Sequence, residues 1–161
     1  MAEIWKAGDE VYKTMEQLIA NKASLSHLAL VDDEILIVFK EKASTNGEMV
    51  IPGSTAKAGP LLTVVSEGKK WNFVITLAAD AWQSMGAKEQ EALLFHHLCA
   101  CAVDENPTTG DYKCSKRLPD VSFYREEVEE YGFWRTTGTV PEPDLIDELF
   151  GAAKPPATPA P

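Results

Sequence analysis

The stretch Glu91-Ala-Leu-Leu-Phe-His-His-Leu-Cys-Ala100 decides how the rest of the chain is read. It lies within residues 88–103, a run without glycine or proline that is apolar on almost every side, so the pattern predicts a helix buried in the core. Two adjacent histidines, His96 and His97, are the chemically capable side chains of that helix. The ordinary fate of a buried neutral imidazole is a hydrogen bond to a carbonyl, with no ligand at all.

Upstream, residues 8–22 repeat Val11, Met15, Leu18 and Ile19 at helical spacing and predict an amphipathic helix. Residues 34–40 are dense in β-branched and aromatic side chains and predict a central strand. Glycine, proline and serine mark residues 49–60 as a loop. Residues 61–65 and 71–77 read as two further strands, joined by a hairpin turn at 66–70. A helical region begins at 78–82 and is interrupted near Gly86. Downstream, residues 104–110 are turn-rich and 111–118 form a basic connector. Asp120 is placed to cap a helix over 121–131, and Pro141 and Asp144 precede a short helix through Phe150. The pattern predicts an α+β fold with a small sheet of about three strands, a buried central helix and C-terminal helices. The expected organisation is one domain over residues 1–150, followed by a disordered Pro/Ala-rich tail over 151–161.

With 15 basic and 25 acidic side chains the formal net charge is -10, which repels nucleic-acid phosphates and anionic lipid and argues against direct binding to either. No apolar run is long enough to span a bilayer, and the N-terminus has no export-signal pattern. Three cysteines, Cys99, Cys101 and Cys114, are an odd number, which suits reduced thiols in a cytoplasm. The chain contains no glycine-rich nucleotide loop, no nucleophile elbow and no paired-cysteine ribbon. His27 has no partner residues in sequence to make a site.

The helix motif resembles the Ala-Leu-Leu-x-His-Glu-Leu-Cys-His signature of the phage metallopeptidase family, a zincin-like group. Further likeness comes from the strand at 34–40, Trp82 before the helix, and Tyr131-Gly132-Phe133-Trp134 downstream, so that it covers roughly residues 10–135. In such sites two histidines four apart bind zinc, while the intervening glutamate activates the bound water. Here His96 matches the first zinc histidine, His97 stands at the catalytic glutamate, and Ala100 stands at the second histidine. Pro119 stands where the resemblance implies the third ligand. The resemblance therefore implies a zincin-like fold with a former zinc helix, no catalytic residue, no cofactor and no hydrolysis. A displaced site is the alternative: His97 and Cys101 are four apart on one helix face and Cys114 approaches from the connector, with His96 a further candidate ligand. Against it, Cys99 fits the family's own cysteine position and Cys101 reads as a small core residue.

Residues 121–150 hold eight acids against two bases, a net of -6. Glu126, Glu127, Glu129, Glu130, Asp144, Asp147 and Glu148 are the candidate partner-binding residues. A solvated acidic face is the bland reading. The sharper one is an electrostatic mimic of DNA that inhibits a host nucleic-acid enzyme such as gyrase, RNA polymerase or a nuclease, in the cytoplasm of the host cell. Two alternatives belong to other classes. One is an active zinc metallopeptidase with a rearranged site. The other is a structural or assembly protein in which Leu145, Ile146, Leu149 and Phe150 dock onto a partner or onto a second copy as a homodimer.

Overall fold

The computed structural model describes residues 3–119 and 125–131. The backbone divides into two units, Met1–Arg117 and Leu118–Pro161. The fold is α+β. Among the described residues no helix is long and apolar enough to cross a membrane.

The first unit is built on a four-stranded sheet in the order β1 (Ile4–Lys6), β2 (Ile35–Lys40), β6 (Phe73–Ala78), β5 (Gly53–Lys57). Strands β2 and β6 are parallel, in register from Ile35↔Phe73 to Lys40↔Ala78, and both edge strands run antiparallel to them. Because side chains alternate along a strand, Ile35, Ile37 and Phe39 share a face with Phe73, Ile75 and Leu77, and all six are buried. Helix α1 (Asp9–Asn21) contributes Val11, Met15, Leu18 and Ile19 to the same core, the four residues that its periodicity selects. Each of these larger side chains stabilises the fold by about 1.5–3 kcal/mol through burial. Tyr12 ties helix to sheet: its hydroxyl accepts a hydrogen bond from the Ile37 amide at 2.9 Å, taking up the ladder beyond the end of β1.

The sheet is larger than the three strands expected, and two antiparallel ribbons accompany it. Residues 49–60 are not a loop: β4 (Met49–Ile51) pairs with β3 (Ser44–Asn46), and β5 follows. Gly47, at φ +63°, opens the two-residue turn between β3 and β4, a place that favours glycine. The expected strand at 61–65 is helix α2 (Pro60–Val65) instead. Pro60 supplies a preset helical φ at its first turn, and this local start outweighs the β-branched content. The expected hairpin turn at 66–70 is the end of that helix, where the amide of Gly68, at φ +88°, donates to Thr63.

After the short helix α3 (Ala79–Ser84), α4 (Ala87–Cys99) stops four residues earlier than its composition suggests. Cys101–Glu105 is instead β7, paired with β8 (Tyr112–Lys116), so the expected basic connector is a strand. Helix α4 is buried on one side only, through Leu94, His97 and Leu98, while Glu91, Ala92 and His96 are exposed. In the second unit α5 (Arg125–Tyr131) is described. The expected capping residue Asp120, the short helix expected after Pro141 and Asp144 and running through Phe150, and the tail at 151–161 lie outside the described residues.

Candidate functional site

Helix α4 begins after Gly86, whose amide donates to the Glu89 carboxylate at 3.4 Å, and its inner face lies against β5. That contact brings His97 onto Gly53 and Thr55, two residues that share the core face of β5. His97 is only 7 % exposed.

The hydrogen bonds around His97 define its tautomer. The Thr55 hydroxyl donates its single proton to the His97 carbonyl at 3.0 Å. Its oxygen must then accept from Nδ1, 3.2 Å away, so the proton of the neutral ring lies on Nδ1. Nε2 is left as a bare lone pair, buried and without a hydrogen-bond partner. It packs against Gly53 so closely that a Cβ there would lie 2.6 Å from it. Burial, with the charges of His96 and Lys116 adding to it, pushes the imidazole down to about 4.

His96, one residue on, is exposed, and its ring meets that of His97 edge-on at 5.1 Å between centroids. Ala100 follows α4 as its C-cap. Cys101 is not on the helix face shared with His97 but on β7, with its thiol 3.7 Å from the His97 carbonyl. Burial, reinforced by Cys114 and Cys99, pushes the Cys101 thiol up to about 12. Burial also raises the thiols of Cys99 and Cys114. Cys114 sits on β8 opposite Val103. Among the described residues no group of three or more His, Cys, Asp or Glu side chains is arranged to hold a metal ion. His27 is structural: its Nε2 lies 2.9 Å from the Cys101 carbonyl.

Of the acidic candidates, Glu126, Glu129 and Glu130 are exposed on α5. The side chain of Glu127, and all of Asp144, Asp147 and Glu148, lie outside the described residues. Gly53 and Thr55 went unnoticed in the sequence because Pro52-Gly53-Ser54-Thr55 has the composition of a turn. The alternation of small residues facing α4 was the signal available.

A sequence model described as "Putative phage metallopeptidase" matches residues 3–153, so the chain belongs to that phage metallopeptidase family. No curated protein and no solved structure matches it. The family implies zinc, and the donors here do not fit it. On the correspondence drawn from the helix motif, His96, Ala100 and Pro119 supply one imidazole where catalytic zinc needs three protein ligands. His97, the extra imidazole, turns its free nitrogen toward Gly53 and away from any open position.

Proposed function

We propose that the chain is a metallopeptidase-family scaffold that acts by binding a protein partner and not by hydrolysing peptides. The observation that supports this most is the position of His97. A general base must reach a water molecule and hold a proton near neutral pH. At the residue matching the family's catalytic glutamate, this chain has an imidazole locked to Thr55, packed on Gly53 and held down to about 4.

For the partner we propose a host enzyme with a basic nucleic-acid groove, met by the acid-rich stretch after residue 121. Membership of a phage family supports a host target, and the exposed Glu126, Glu129 and Glu130 support an electrostatic mode. The direct trial is binding to purified gyrase, RNA polymerase and nuclease preparations at rising salt. A charge-reversal variant, E126K/E129K/E130K, should lose an interaction that already weakens steeply with ionic strength. Salt-insensitive binding that survives charge reversal would remove the electrostatic reading. Peptide hydrolysis that disappears in a His96→Ala variant would remove the non-enzymatic one.

A further inference from the structure

A cavity of about 290 Å³ opens where α1 meets the start of β6. Its floor is apolar, made by Met15 and Ile35, both fully buried. Tyr12 and Trp71 stand as aromatic walls, and the Trp71 indole is fixed by donating to the Ser66 hydroxyl at 3.1 Å.

Both rings already carry cations. The Lys6 ammonium lies 5.4 Å from the Tyr12 centroid and 5.8 Å from that of Trp71, and the Lys69 ammonium lies 4.2 Å from Trp71. These distances are within the range in which the negative face of an aromatic ring attracts a positive charge. Four carboxylates also line the cavity: Asp9, Glu16, Asp32 and Asp33. None of the four makes a hydrogen bond or ion pair among the described residues. Four acids minus two lysines leave the lining at -2.

We propose that this cavity binds an organic cation with an aliphatic stem, an alkylammonium or alkylguanidinium group. The stem lies on Met15 and Ile35, and the charged head sits over the Trp71 face, where Lys69 now lies, within reach of Asp32 and Asp33. The apolar floor favours such a guest over a hydrated metal ion, and the excess of carboxylate disfavours an anion. Lys69, exposed and on a flexible stem, is the resident competitor that the guest displaces from Trp71. Two sources share this chemistry, a free polyamine and a basic side chain of a partner protein. This proposal does not rest on the proposed function.

The test is nuclear magnetic resonance of the full ¹⁵N-labelled chain, following the Trp71 indole N–H during titration with spermidine and, separately, acetyl-arginine amide. A saturable shift with either probe is expected. A response to spermidine alone assigns a polyamine, and any response to acetyl-arginine amide assigns a peptide side chain. A D32N/D33N variant should bind about tenfold more weakly, and Lys69→Ala about threefold more tightly because the competitor is gone. No saturable shift with either probe, or one unchanged in D32N/D33N, overturns the proposal. So does weaker binding in Lys69→Ala, since an anion site would lose affinity there.

Discussion

Thr55 and His97 are joined twice, the threonine hydroxyl donating to the histidine carbonyl at 3.0 Å and accepting from its Nδ1 at 3.2 Å. One side chain of an edge strand thus holds both the backbone and the ring of the helix residue that the motif resemblance aligns with the catalytic glutamate.

Thr55→Val keeps the shape and removes both bonds, leaving the buried Nδ1 donor unmatched. The expected loss is about 1–3 kcal/mol of stability by urea denaturation, with Thr55→Ser retaining most of it. A neutral Thr55→Val would mean that the pair contributes nothing.

Gly53→Ala places a methyl group 2.6 Å from His97 Nε2 and 2.9 Å from the Thr76 carbonyl. Overpacking against ring and backbone should cost about 1–3 kcal/mol. In a double-mutant cycle His97→Ala should recover part of the loss, because it removes the ring and leaves the carbonyl. Strictly additive effects would separate the two residues.

Acid should weaken the fold through His97. The unfolded chain titrates this residue near 6.5, whereas the native ring is held down to about 4. The unfolded state therefore takes up the proton first. This contribution is fully present above 6.5, falls as pH drops from there, and is gone below about 4. The size is on the order of 2 kcal/mol after solvent screening. His97→Gln should flatten that segment of the stability–pH curve relative to the parent chain.

The cysteines should react unequally. With its thiol pushed up to about 12, Cys101 holds almost no thiolate at pH 8. Mass spectrometry after brief iodoacetamide treatment should find Cys99, the half-buried one, alkylated well before Cys101. Equal labelling of the two in the folded chain would contradict the buried placement of Cys101.

Local periodicity was enough for α1, β2 and β6, because each carries its own apolar pattern and buries the residues that the pattern picks out. It failed where distant pairing decides. Ala100 and Arg117 are 17 positions apart, yet the Arg117 amide donates to the Ala100 carbonyl at 2.7 Å at the start of the β7–β8 ribbon, and α4 ends there. Nothing between 88 and 103 announces that stop, since no glycine or proline interrupts the run. The candidate site was legible as a motif, with His96, His97 and Ala100 in place. Its working geometry was not, because it depends on Gly53 and Thr55 approaching from a strand that reads as a loop. Helical spacing puts His97 and Cys101 on one face, whereas the pairing of β7 with β8 ends α4 at Cys99 and carries Cys101 onto a strand.

Elemental analysis of the purified, tag-free chain tests the proposed loss of peptidase chemistry most directly. With one imidazole at the matched ligand positions, substoichiometric zinc is expected, unchanged in a His96→Ala, His97→Ala double variant. About one zinc per chain, lost in that variant, would contradict it and restore a metal centre to this helix.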